Sequence, residues 1–510
     1  MTPVWRNLAL LGATALGAMA LIDPSLAQEA ATAATDAAAA APEAAAEAAT
    51  AAAATAAKAP ELVVAKADDA WMMTSSLLVL LMTVPGVALF YGGMVRTKNM
   101  LSILTQVFAI QCIVCVIWFI YGYSLAFGSA EGALAPFIGN FSRLFLSGID
   151  SSTVAATFTP GVGIHELVFV SFQMTFAAIT TALAVGGFAE RMKFSAVVLF
   201  AILWPTIVYF PIAHMVWANP GPAELALNNE AAVAASGFGF QMGALDFAGG
   251  TVVHINAGLA GLIGALLVGR RLGYGKEPMP PHSLTLTMVG AALLWVGWFG
   301  FNAGSALEAS GTAVLAMANT FVATAAAGIS WLVVEWLFKG KPSLLGLASG
   351  VVAGLVAVTP AAGFAGTNGA LVLGLVAGAV CFFFCTAVKS ALRYDDTLDV
   401  FGVHAVGGII GAIGTGIVAA PVYGGTGVTD YTKCEIVNGV LTATCPIGEY
   451  DVAAQVLIQL KNIAVTGAWC IVGSTIVFLL ISLVVGLRAS AEKEREGLDI
   501  SEHGERAYNL

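Results

Sequence analysis

Apolar residues in this chain come in long uninterrupted runs, and that constrains its fold more than any other feature. From residue 71 onward eleven stretches are long enough to cross a bilayer: 71–93, 101–126, 166–187, 195–217, 247–269, 283–302, 313–337, 343–360, 369–388, 400–420 and 464–487. A crossing helix needs ~20 predominantly apolar residues. Backbone polar groups have no water to bond inside lipid, so such runs resolve into helices. Only 10% of the 510 residues are charged, and 58% are hydrophobic. A soluble domain would carry roughly 25% charged residues. The sequence therefore predicts an all-α polytopic membrane protein with eleven transmembrane helices. The 57 glycines suit helices that pack closely in lipid. A net charge of -10 argues against nucleic acid as a partner.

Basic residues orient the spans. Eleven lysines and arginines lie in the loops after spans 1, 3, 5, 7 and 9, from Arg96 to Arg393, and the C-terminal tail adds four more. The opposite loops hold Arg143, Lys433 and Lys461. Cytoplasmic loops are enriched in Lys and Arg. The mature N-terminus is thus expected outside and the C-terminus inside.

The first 27 residues read as a cleavable signal peptide, with Arg6, an apolar core from Leu8 to Ile22 and the small-x-small site Ser25-Leu26-Ala27. The competing reading is a retained first helix, although that run is short and Asp23-Pro24 ends it. Residues 28–67 form an Ala-rich tether, the membrane domain runs over 68–488, and 489–510 is a charged tail.

An internal echo suggests symmetry. Span 5 begins with Asp246 and carries His254; span 10 begins with Asp399 and carries His404. Five spans separate the two motifs, so they run in opposite directions. This is the pattern of a 5+5 inverted repeat with a substrate path at its interface, plus one additional C-terminal helix.

His254 and His404 lead the candidate functional residues, because ionisable groups inside spans usually face a cavity or a partner. His254 lies eight residues, or ~12 Å of helix, past Asp246. Descending from opposite faces, the two imidazoles could meet and share a hydrogen bond. Each could instead be a satisfied core residue. Asp246 could cap its helix through backbone N–H groups, or its charge could help hold a cation. Trp217 is an interface anchor or, grouped with Phe176, Phe301 and Ser305, part of a vestibule whose aromatic faces attract small cations. Cys434 and Cys445 share one outer loop, where an oxidising compartment would let them pair. No metal site or cofactor is expected. No nucleotide-binding loop or catalytic nucleophile set accompanies the histidines, which disfavours an ATP-driven pump or an intramembrane enzyme.

The motifs, in order, resemble the ammonium transporter (Amt/Mep/Rh) family, and its bacterial Amt branch in particular. They are VPGVALFYGG at 84–93, FAERMKFSA at 188–196, PIAHMVW at 211–217, DFAGGTVVHINAG at 246–258, GWFGFNAGS at 297–305, PSLLGLASG at 342–350, DVFGVH at 399–404 and GLRASAEKEREGLDISEHGERAY at 486–508. The resemblance implies an outer ammonium-recruitment site at Trp217, Phe176 and Ser305, supported by Asp246. It implies a phenylalanine gate at Phe176 and Phe301, and a twin-histidine pore at His254 and His404 that conducts ammonia, with or without separate proton transfer. It further implies a homotrimer in the bacterial inner membrane whose tail docks a PII-type nitrogen-regulatory protein. The alternatives are an ammonium sensor with little flux and a gas channel nearer the Rh branch. Long outer loops at 127–165, 218–245 and 421–461, and the Ala-rich tether, depart from the family pattern.

Overall fold

The computed structural model describes residues 57–129 and 132–508. The signal peptide and most of the Ala-rich tether fall outside the described residues. Among those described, eleven helices are long and apolar enough to cross a membrane. They are α1 (Lys66–Met94), α2 (Thr97–Phe127), α3 (Glu166–Phe188), α4 (Phe194–Trp217), α5 (Gly250–Val268), α6 (Leu284–Gly304), α7 (Gly311–Lys339), α8 (Leu344–Ala361), α9 (Thr367–Leu392), α10 (Phe401–Val418) and α11 (Val452–Val484). Several begin where a short polar side chain satisfies free backbone N–H groups. Ser283 accepts from Leu286 N, Ser343 from Gly346 N, and Asp451 from Ala453 N and Ala454 N. Leu337, Leu483, Val484 and Phe108 lie exposed on the outside of the bundle, as lipid-facing side chains should.

Helix α11 departs furthest from the sequence expectation. It begins at Val452 rather than near 464 and spans 33 residues, ~50 Å at 1.5 Å per residue. Its first turns carry Gln459, Lys461 and Asn462 beyond the apolar window. Lys461 therefore lies on a helix, not in a loop. Buried Gln459 ties the extension to the bundle through Leu245 O (2.7 Å) and Ala412 O (2.9 Å).

The packing repeats between α1–α5 and α6–α10. The pairs α1·α3, α2·α4 and α3·α5 have counterparts in α6·α8, α7·α9 and α8·α10, while α1 packs on α6 and α5 on α10. At the α5·α10 crossing the relation is reciprocal. The body of α5 lies on the first turn of α10, and the body of α10 on the first turn of α5. Helix α11 packs across α5 and α10 and stands outside the repeat.

Loops form a cap over the face at which Trp217 lies. Strand β1 (Val63–Val64) pairs in parallel with β3 (Val162–His165), which pairs antiparallel with β2 (Val154–Ala156). A hairpin, β4 (Ile436–Val437) and β5 (Val440–Leu441), adjoins a disulfide between Cys434 and Cys445. The end of the tether is woven into this cap: Lys58 N donates to Gly439 O (2.9 Å) and Leu441 N to Lys58 O (3.1 Å). Backbone pairing to two outer loops, through Val162 and Gly439, holds the end of the tether in place.

The opposite face is held by charge. Glu190 accepts from Arg96, Asn99 and Arg271, and Arg271 also binds Asp395 at 2.7 Å. The tail lies against this face. Glu494 binds Arg488 (2.7 Å) and accepts from Leu272 N (2.7 Å), while Asp499 accepts from Leu101 N (3.1 Å) and Ser102 N (2.8 Å) at the start of α2.

Candidate functional site

Five side chains form a column through the bundle. At its top the Trp217 ring meets the Phe176 ring edge to face, 5.9 Å between centroids and 83° between planes. Phe176 stacks on Phe301 at 4.2 Å. Below them Phe301 lies 5.9 Å from the ring of His254, and His254 lies 5.4 Å from that of His404. The two imidazoles approach Nδ1 to Nδ1 at 3.3 Å. One must donate and the other accept, so the neutral pair holds opposite tautomers. His254 and His404 are 1% and 3% exposed. The Nε2 of His254 has no hydrogen-bond partner among the described residues.

Local sequence explains this placement. Both histidines lie in π-helical turns, Gly250–Ile255 and Phe401–Ala405. Such turns widen a helix and recur at functional positions. Four residues beyond each histidine stands a glycine. A Cβ on Gly258 would overlap the backbone nitrogen of Ala405, and one on Gly408 would lie 2.9 Å from Gly250 O. The missing side chains let α5 and α10 cross closely enough for the rings to meet.

Asp246 sits at the start of α5, and its carboxylate accepts from four backbone N–H groups, those of Gly249, Gly250, Thr251 and Val252. It is a helix cap whose carbonyl oxygen also receives Trp217 Nε1 at 2.9 Å. The symmetry mate of Asp246 is Asp396, not Asp399. Asp396 precedes His404 by eight residues, as Asp246 precedes His254, and it accepts from Phe401 N at 2.8 Å. Asp399 instead pairs with Lys389 at 2.7 Å. The sequence reading took the acid nearest the span, whereas the repeat keeps the spacing.

Ser305 lies beside this group at the end of α6, its Oγ donating to Phe301 O at 2.8 Å. Trp217, Phe176, Ser305 and Asp246 all line one cavity of ≈ 780 Å³ beneath the loop cap. Phe301 and the histidines do not line it, so Phe176 borders the cavity and Phe301 stacks behind it. Sequence reasoning missed Trp298, which stacks on His254 (5.3 Å, 20°) and donates to Thr359 Oγ1 at 2.9 Å. Its spacing of three from Phe301, which sets both on one helix face, was the available signal. His214 is buried, with ring nitrogens 3.0 Å from Ala126 O and 2.8 Å from Ala135 O, a structural position. His165 pairs with Asp69.

An aromatic-lined cavity closed by stacked rings above a buried histidine pair, at the seam of two inverted five-helix units, places the chain among helical membrane transport proteins. Residues 70–508 match the model of the Ammonium Transporter Family. The chain is 45% identical over 447 residues to an ammonium transporter of Aquifex aeolicus, covering 87% of this chain and 93% of that one. It is 41% identical over 444 residues to an ammonium transporter of Bacillus subtilis, covering 86% and 98%. Among solved structures it resembles Mep2 of Saccharomyces cerevisiae (TM-score 0.70, 33% identity, covering 84% of this chain and 88% of that one). It also resembles a Sensor Amt Protein (TM-score 0.72, 26% identity, covering 86% and 98%). The chain belongs to the ammonium transporter family.

Proposed function

We propose that this protein takes up ammonium by recruiting the cation at Trp217, Phe176 and Ser305, removing a proton above the phenylalanine gate and conducting ammonia past His254 and His404. The observation that carries this reading is the continuous order of the column. Aromatic faces and a hydroxyl border the cavity, stacked phenyl rings close it, and paired imidazoles follow in a buried apolar seam. Potassium matches ammonium in charge, but it can neither donate hydrogen bonds nor lose a proton. A path that passes the neutral species excludes potassium by the cost of stripping its water. Asp246, saturated by backbone N–H groups, fixes the start of α5 and adds negative charge at the cavity wall. The same reading sets the protein in a bacterial inner membrane as a homotrimer, with the Trp217 face periplasmic and the tail cytoplasmic, where it would meet a PII-type protein.

An ammonium step on proteoliposomes, recorded as current and as internal pH with potassium as control, tests the function. A specific current means that net charge crosses. Internal alkalinisation without current means electroneutral ammonia conduction. Silence in both favours a second reading, a sensor with little flux. The likeness to a Sensor Amt Protein and the close seating of the tail on the bundle support that alternative.

A further inference from the structure

Trp217 is the last residue of α4, and the helix alone does not hold it in place. Pro205 opens a π-helical turn, Pro205–Tyr209, and Pro211 follows shortly after it. Proline has no N–H, so Pro211 leaves the carbonyl of Ile207, four residues back, without its helical donor. That oxygen accepts from Trp469 Nε1 of α11 at 3.0 Å instead. The segment Phe210–Trp217 is therefore joined to the rest of α4 by an interrupted ladder. Beyond it the chain turns to extended backbone at Ala218. The setting of this segment has to come from outside the helix.

His214, one turn before Trp217, supplies it. Its buried ring places Nδ1 3.0 Å from Ala126 O, at the end of α2, and Nε2 2.8 Å from Ala135 O, in the outer loop that follows. Both partners are carbonyl oxygens, which only accept. A neutral imidazole donates to one of them and an imidazolium to both, so in either form His214 ties α4 to a second element. The backbone of the same turn continues the tie. Ala218 N donates to His214 O (3.1 Å), Gly237 N to Ala218 O (2.8 Å), and Phe238 N to Pro136 O (2.8 Å), beside Ala135. Gly237 packs so closely that a Cβ there would overlap His214 O. The Phe137 ring stacks on Phe238 at 5.5 Å and on Trp469 at 6.4 Å. Helices α2 and α11 and two outer loops thus converge on the last turns of α4. His214 itself does not line the cavity, whereas Trp217 does.

We propose that His214 is a positioning residue of the cation-recruitment site: its hydrogen bonds to the end of α2 and to the outer loop set the angle at which Trp217 meets the cation. The proposal rests on the ammonium-uptake reading and deepens it. Attraction between a cation and a ring requires the cation to lie over the ring face. A rotated turn loses that attraction while the pore below stays intact. The effect of His214 therefore passes through Trp217 and falls on affinity, not on the rate past the histidine pair.

The test uses the full chain in proteoliposomes and measures initial ammonium-driven rates against ammonium concentration. H214L removes both ring nitrogens. Its half-saturating concentration should rise about two-fold to ten-fold, the worth of one hydrogen bond, with the maximal rate unchanged. H214Q, whose amide still donates, should recover most of the wild-type half-saturation. Added to W217L, H214L should shift half-saturation by less than about two-fold, because residues that act through one another are not additive. Wild-type half-saturation in H214L overturns the proposal, whether the maximal rate falls or not. An equal shift with and without Trp217 overturns it as well. If H214L does not fold, H214N, which is shorter but polar, takes its place and is read by the same outcomes. Wild-type vesicles that give no ammonium response at all would instead overturn the underlying transport reading.

Discussion

His254 and His404 approach Nδ1 to Nδ1 at 3.3 Å although 150 positions separate them in the chain. Each reaches this point from a π-helical turn eight residues after a capping aspartate and four before a close-packed glycine. The two repeats therefore deliver the pair by one construction used twice, in opposite directions.

The shared hydrogen bond makes the histidines a unit. Replacing both with apolar residues should lower ammonium-specific conduction at least about ten-fold, a modest share of what positioned proton-transfer groups contribute. Currents or pH changes in proteoliposomes give the answer. Unchanged ammonium-specific conduction in the double variant would remove the histidines from the conduction path.

Gly258 carries the crossing of α5 and α10. A Gly258→Val substitution should destabilise the bundle by about 1–3 kcal/mol through overpacking. It should also separate the two imidazoles and so lower conduction even where the protein remains folded. Thermal unfolding of the purified protein in detergent, followed by transport in vesicles, separates these effects. Wild-type stability and rate together would show that the close contact has slack.

Trp217 meets the Phe176 ring edge to face and donates to Asp246 O. Trp217→Leu removes the aromatic face, worth ~0.5–2 kcal/mol toward a cation. Half-saturation should rise by about two-fold to thirty-fold on that basis, and potassium should compete more effectively at low ammonium. Unaltered competition between the two ions would rule out a recruiting role for this ring.

On the tail face, burial by itself would raise the carboxyl of Glu190. The guanidiniums of Arg271 and Arg96 more than reverse this and hold it at about 2. A depressed carboxyl contributes stability above its unfolded value, near ~4.3, and loses that contribution as pH falls through its folded value. Glu190→Gln should therefore cost ~3–5 kcal/mol at neutral pH, the usual consequence of breaking a buried ion pair. The difference from wild type should shrink between pH ~4 and about 2. Denaturation followed across that range measures it, and a difference independent of pH would point to packing rather than charge.

The C-terminal helix and the acid before His404 show where sequence reading stopped. The last span was placed by hydropathy, but α11 starts twelve residues earlier because Asp451 caps it and Gln459 anchors it to distant carbonyls. Polar residues that stabilise a helix through tertiary hydrogen bonds leave no mark on an apolar profile. Asp399 looked equivalent to Asp246 because it adjoins the span. Only the backbone bond from Phe401 to Asp396 reveals which carboxylate does the capping.

The eleven spans and the opposed histidine motifs were determined by sequence alone, because apolar length is a local property that lipid imposes on each segment separately. The family resemblance likewise marked Trp217, Phe176, Phe301 and Ser305 as one group. Tertiary structure decided that His254 and His404 touch through glycine-lined helices, that Trp298 backs the pair, and that the tether and a disulfide loop join the cap over the Trp217 face. Those relations join residues on different helices and loops, and their geometry is set by close packing between elements rather than by any local run of residues.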